Sequence, residues 1–167
     1  SDSPPDRDVQ WSTEGVSAAH KFVQRIWNLN NKVLDKKNEK SDLDDEKKFL
    51  SKFNDYLFKI SDLIENFHLN VAIAKIHEIT NLLEDSLTKK LSNKSLLESQ
   101  IKFVKIMMPF APHLSCECLS KLEGKNFYEK IQWPKGDKSL LKDQEVILVV
   151  QINGKKRGSL KAHKDIT

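Results

Sequence analysis

The sequence is poor in glycine, proline and cysteine, and each shortage narrows the possible folds. Its 167 residues include only five glycines and five prolines, and so few breakers favour long helices over many short strands. The two cysteines, Cys116 and Cys118, are too few and too close together for a disulfide framework. The expected compartment is therefore the cytoplasm. No apolar run approaches the length that would span a membrane, so we expect no membrane contact.

The sequence also lacks any recognisable set of catalytic residues. The five histidines are dispersed along the chain, and no glycine-rich phosphate loop is present. On a helix, Cys116 and Cys118 would point about 200° apart, which opposes joint chelation of a metal. We therefore expect no catalytic residue, no metal and no cofactor in this chain.

Apolar residues recur with helical spacing in five segments. These predict helices over about 13–36, 43–67, 72–90, 95–108 and 112–124. Ser12, Asn70 and Ser95 are candidate N-caps. Pro109 would end the fourth helix, and Pro112 suits the first turn of the fifth. The sequence therefore predicts a mainly α fold, a bundle of about five helices over residues 1–133.

The pattern changes after residue 133. A linker over 134–144 precedes residues 145–152, which are β-branched and aliphatic. Asn153-Gly154 follows and is the strongest short signal for a hairpin turn. A lone hairpin is marginally stable in water, so we expect residues 145–167 to be the truncated start of a larger domain.

Positive charge is concentrated at this C-terminal end. Residues 1–149 carry 23 Lys or Arg and 23 Asp or Glu, whereas residues 150–167 carry five and one, which accounts for the net charge of +4. A cationic segment after a tight turn indicates contact with a polyanion, with Lys155, Lys156 and Arg157 reaching phosphates. A solvated chain end, or an edge strand protected by lysines, would explain the same residues.

Five segments resemble leucyl-tRNA synthetases of the bacterial type. Residues 149–158, VVQINGKKRG, are similar to the VQVNGKxRG signature of that family. Residues 109–114, PFAPHL, resemble a corner shared by class I synthetases. Residues 4–12, 22–27 and 67–74 resemble further family segments, and the five matches follow the family's order along the chain.

The resemblance implies a class I anticodon-binding helical bundle followed by the start of an α/β C-terminal domain. The parent enzyme would ligate leucine to tRNA(Leu) with ATP and Mg²⁺, and its catalytic motifs would lie N-terminal to Ser1. This fragment alone is therefore expected to be inactive. Its expected partners are tRNA(Leu) and the rest of the same polypeptide, which we expect to be a monomer. Candidate tRNA contacts are Asn153, Lys155, Lys156, Arg157, Arg25 and Trp27.

Three other interpretations fit the same residues. Core packing of Trp27 and surface pairing of Arg25 explain those two residues equally well. Isoleucyl, valyl and methionyl synthetases have versions of the 109–114 corner, so the chain could also be the corresponding part of one of these class I enzymes. The neutral body and the acidic patch over 42–46 would also suit a helical protein-interaction module without any role in RNA binding.

Overall fold

The structure is a computed structural model that describes residues 11–37, 41–124, 131–141, 145–152 and 155–163. The helices are α1 (Thr13–Asp35), α2 (Leu43–Glu65), α3 (Leu69–Ser86), α4 (Asn93–Ile106) and α5 (Pro112–Glu123). A short 3-10 helix (Lys138–Leu140) and two strands, β1 (Glu145–Ile152) and β2 (Lys155–His163), follow. The predicted mainly helical fold with five helices is confirmed. Among the described residues, no helix has the length and apolar character to cross a membrane.

The first and last helices begin where the sequence predicts. The Ser12 hydroxyl oxygen accepts a hydrogen bond from the Gly15 amide at 2.9 Å, and Pro112 occupies the first turn of α5. The predicted cap at Asn70 is wrong, because α3 already begins at Leu69 and Asn70 lies inside its first turn. The chain reverses earlier, at Phe67, which adopts a φ of 58° in the left-handed region.

The predicted cap at Ser95 is also wrong, for a tertiary reason. Helix α4 begins at Asn93, and the Ser92 hydroxyl oxygen accepts from the Ser95 amide at 3.2 Å. Glu46 of α2 accepts hydrogen bonds from the hydroxyls of both serines. The hydrogen bond from Ser92 and then that from Ser95 hold the pKa of Glu46 below its usual value. A carboxylate distant in sequence thus fixes the start of α4.

The core lies where the five helices meet. Its largest fully buried side chains are apolar and include Ile26, Leu29, Phe53, Leu57, Ile60, Ile76, Ile79, Leu83, Leu91, Leu96, Phe103 and Ile106. Asn30 is a buried polar exception. Its amide nitrogen donates to the Cys118 carbonyl at 3.5 Å, and its oxygen accepts from Gln100 at 3.2 Å. These bonds tie α1 to α5 and α4, and burial of Asn30 therefore leaves neither end of its amide unpaired.

The two strands form an antiparallel pair. Ile152 pairs with Lys155, so two residues connect the strands, and those residues lie outside the described part of the chain. The register is irregular after Val150, which pairs with Gly158. Assignment of this pair to a further domain stays a prediction, as do the predicted domain boundaries. Within the predicted linker, residues 136–140 lie against α2.

Candidate nucleic-acid interface

Helix α1 presents a row of hydrogen-bond donors to solvent. His20, Gln24, Asn28 and Lys32 follow one another at intervals of four residues, and all four are exposed. Residues four apart lie on the same face of a helix, so these side chains form one line along α1. We call this line the α1 ladder. Lys21 is exposed beside it, and neither Lys21 nor Lys32 belongs to a salt bridge among the residues that the structure describes.

An open groove runs along the α1 ladder toward α3. The ladder residues and Lys21 line it together with Arg25 and Glu84. Glu84 is the one acidic side chain in this lining, and Arg25 engages it at 2.5 Å. The groove is therefore a surface of donors with a net positive charge, which is the character that phosphate oxygens require.

Arg25 is held against α3 by three hydrogen bonds. Its guanidinium donates to both carboxylate oxygens of Glu84, at 2.9 and 2.5 Å, and to the Asn81 side-chain oxygen at 2.6 Å. The hydrogen bonds to Glu84 raise the pKa of Arg25 and lower the pKa of Glu84. Arg25 thus links α1 to α3, which agrees with surface pairing, and its contact with RNA stays a prediction.

Trp27 lies between the core and the surface. Its side chain packs against the buried cluster, and the Lys121 ammonium lies over its ring, 4.0 Å from the centroid. Trp27 also lines an open cleft between α1 and α5, together with His113 and Leu114. Residues 109–114 are the corner that the sequence singled out, so the fold brings this corner beside α1.

The predicted contacts near the turn are only partly described. Lys155 and Lys156 pair with Ile152 and Gln151 through the backbone, and the register irregularity falls at Arg157. Asn153 lies outside the described residues. The strand therefore carries three consecutive cations directly after the two-residue connection, and their roles in RNA binding stay predictions.

The acidic patch over 42–46 has partners inside the bundle. The Asp42 carboxylate caps α2 by accepting from the amides of Asp44 and Asp45, at 2.9 and 3.2 Å. Asp44 forms a salt bridge with Lys48, and Glu46 accepts hydrogen bonds from the hydroxyls of Ser92 and Ser95 at the start of α4. Negative charge at the start of a helix is stabilising because it meets the positive end of the helix dipole. These acidic side chains therefore have a structural explanation that needs no protein partner.

The α1 ladder was missed by reasoning from the sequence, although a signal was present. Residues 15–34 contain Lys21, Arg25 and Lys32 and no Asp or Glu. The net charge of residues 1–149 is zero because acidic residues elsewhere balance these three cations, so the sum did not reveal the positive charge of this segment. Among the described residues, no group of three or more His, Cys, Asp or Glu side chains could hold a metal ion.

Comparison with known proteins identifies the class to which this bundle belongs. A family model described as the anticodon-binding domain of tRNA ligase matches residues 46–167. The chain belongs to this family. Its relatives are leucine–tRNA ligases, which confirms the resemblance found in the sequence.

Two curated relatives and one solved structure illustrate the match. The chain is 37% identical to the leucine–tRNA ligase of Nitrobacter winogradskyi, with 99% of this chain and 21% of that protein covered. It is 36% identical to the enzyme of Fervidobacterium nodosum, with 98% and 21% covered. A crystal structure described as the ternary complex of Agrobacterium radiobacter K84 agnB2 LeuRS, tRNA and LeuAMS matches with a TM-score of 0.72 and 25% identity, covering 95% of this chain and 21% of that one. The chain thus spans about a fifth of the length of these proteins.

Proposed function

We propose that this chain is the tRNA-positioning part of a leucine–tRNA ligase. Its bundle would hold the sugar-phosphate backbone of tRNA(Leu) along the α1 ladder, and the cations of β2 would hold a second point. The observation that carries the proposal is the exposed face of α1, where donors line a groove and the one acidic lining residue is paired. Membership in a tRNA-ligase family and the tRNA named in the matching complex support it.

The parent enzyme would ligate leucine to tRNA(Leu) with ATP and Mg²⁺. We assign the binding of these small molecules to the remainder of the polypeptide, and residues 145–167 to the start of a C-terminal domain. The parent would be a cytoplasmic monomer, and its sedimentation would give the mass of one chain. In this scheme the present chain contributes orientation, because two separated backbone contacts fix a long substrate better than one.

The two contact regions can be tested separately by the salt dependence of tRNA binding. Each phosphate contact contributes about 0.9 to the slope of log affinity against log salt. A fourfold increase in salt therefore costs about 3.5-fold in affinity per contact. In the full-length protein, Lys21→Gln with Lys32→Gln should lower the slope by up to about 1.8 if both lysines contact phosphates.

A matched control removes the same charge elsewhere. Lys47 and Lys52 are exposed on α2, and their replacement by Gln should leave the slope unchanged. A third variant, Lys155→Ala with Lys156→Ala and Arg157→Ala, tests the strand. If neither the α1 variant nor the strand variant changes affinity or slope relative to the control, the proposed function is wrong.

A further inference from the structure

The segment that leads to the strands is attached to α2 by three contacts. We call residues 131–141 the strap. The Trp133 indole nitrogen donates to the Ser61 hydroxyl oxygen at 2.8 Å. Pro134, next along the strap, is buried. A Cβ added at Gly136 would lie 2.7 Å from Cε2 of Phe58, so a larger residue at this position would have to displace the ring.

The third contact is made by a buried asparagine. Asn54 is 1% exposed, its side-chain oxygen accepts from the Asp137 amide at 2.8 Å, and its nitrogen donates to the Leu50 carbonyl at 2.9 Å. Burying an amide is unfavourable unless its polar atoms find partners. The strap supplies the partner for the oxygen, and this explains why α2 carries a buried asparagine here.

The docked strap also begins the next structural element. The Asp137 carboxylate accepts from the Ser139 amide at 2.9 Å and from its hydroxyl at 2.6 Å. These hydrogen bonds, with that from the hydroxyl the stronger, lower the pKa of Asp137 and cap the 3-10 helix over residues 138–140. Asp137 thus makes both contacts: its amide binds Asn54 of α2, and its carboxylate caps the 3-10 helix that follows.

Docking of the strap limits where the strands can begin. Four residue steps separate Leu141 from Glu145, and four extended steps span at most about 14 Å. If the strap left α2 from Ile131 onward, fourteen steps would separate the bundle from the strands, with a reach of about 50 Å. Effective concentration falls roughly as the −3/2 power of linker length, so this release would lower it about sixfold.

We propose that the strap is a positioning element, in which Asn54, Phe58 and Gly136 hold the start of the strands at α2 so that β2 and the α1 ladder engage one RNA together. This inference rests on the proposed function, because it assumes that both regions contact the same tRNA. The residues named here touch no RNA themselves. They act by keeping the second contact close to the first.

The test uses the full-length protein with Gly136→Val, which introduces a clash with Phe58. Two readouts are needed: hydrogen exchange of the backbone amides over 131–141, and tRNA affinity across a salt series. Exchange in the strap should rise, and tRNA affinity should fall about sixfold. The salt slope should stay unchanged, because no phosphate contact is removed. A merely structural role for the strap would change exchange without changing affinity.

A control and a second variant keep the test decisive. Gln132→Val makes a similar substitution at an exposed strap residue and should behave as the unmodified protein. Ser61→Ala with Trp133→Phe removes a different hydrogen bond of the strap, so it serves if Gly136→Val misfolds. Raised exchange with affinity equal to the control would overturn the inference, as would unchanged exchange in both variants.

Failure of the inference can be told apart from failure of the proposed function. The strand variant, Lys155→Ala with Lys156→Ala and Arg157→Ala, is measured in the same assay. If the strand variant loses affinity and the strap variants do not, the positioning role is wrong and the proposed function stands. If the strand variant binds as the unmodified protein does, the second contact itself is absent and the strap has nothing to position.

Discussion

A single lysine holds the end of α3, and its removal gives a quantitative test of the bundle's construction. Lys36 follows α1, and its ammonium donates to the carbonyls of Ser86, Leu87 and Lys89 at 3.4, 3.1 and 2.9 Å. The last carbonyls of a helix have no partner within the helix. Backbone amides already donate to the carbonyls of Ser86 and Lys89, so Lys36 adds a second bond to these two and donates to Leu87 as well. Its charge also interacts favourably with the negative end of the helix dipole.

The size of the effect follows from this geometry. A cation at a partly buried helix C-terminus contributes up to about 2 kcal/mol, and Lys36 is partly buried. Its bond to Lys89 is exposed, so water replaces part of what is lost. We expect Lys36→Met to lower the free energy of unfolding by about 1–2 kcal/mol. With a denaturant slope near 2 kcal/mol/M, the urea midpoint should fall by about 0.5–1 M.

The assay is urea unfolding of the 167-residue chain, followed by helical circular dichroism. Lys37→Met is the matched control, because Lys37 is the exposed neighbour and should change stability by less than about 0.5 kcal/mol. The difference between the two variants should shrink in 1 M salt, because salt screens the interaction with the dipole. Equal midpoints for both variants at low salt would refute the reasoning.

Three further predictions concern the titration of α3, the salt bridge to α1 and the core. Burial, and secondarily the charge of Arg25, lowers the pKa of His77, which stacks on Phe22 with ring centroids 3.7 Å apart. The unfolded chain therefore binds more protons, so the free energy of unfolding should fall as pH drops below about 6.5. His77→Phe should make the urea midpoint depend less on pH between 7.5 and 5.5. An unaltered pH dependence would contradict this prediction. Glu84→Gln should free Arg25 to reach a phosphate in the groove and so steepen the salt slope of tRNA binding by up to about 0.9. An unchanged slope would show that Arg25 links α1 to α3 and does not contact tRNA. Phe103 is fully buried, and Phe103→Ala should cost about 3–5 kcal/mol in urea unfolding; a loss below 1 kcal/mol would show that the core relaxes around the substitution.

Several elements of the fold could be predicted because their signals are local. The apolar spacing of α1 and the hydroxyl of Ser12 lie within a few residues of what they specify, and so does Pro112 at the start of α5. The starts of α3 and α4 could not be predicted in this way. At Phe67 the chain reverses with a backbone conformation that non-glycine residues seldom adopt. Ser92 caps α4, and its hydroxyl is held by Glu46, which belongs to another helix.

The residues of the candidate interface also differ in whether their signals in the sequence are local. The cations of residues 155–157 are adjacent in sequence, so they were visible as a cluster. The α1 ladder was visible only as a stretch without acidic residues, and sums of charge over the whole body concealed it. Whether Arg25 was exposed for a ligand or paired within the bundle depended on Glu84, which is 59 residues away.

The sequence by itself determined the number and type of the helices, the family resemblance and the cationic strand, because periodicity, motifs and charge runs are properties of neighbouring residues. The tertiary structure alone decided that Lys36 closes α3, that Asn54 receives the strap and that Arg25 is held by α3. Each of these depends on a partner far along the chain, and only folding brings such partners within the roughly 3 Å over which hydrogen bonds act. The strap illustrates both kinds of information, since Gly136 is visible in the sequence, whereas its close approach to the Phe58 ring is visible only in the structure.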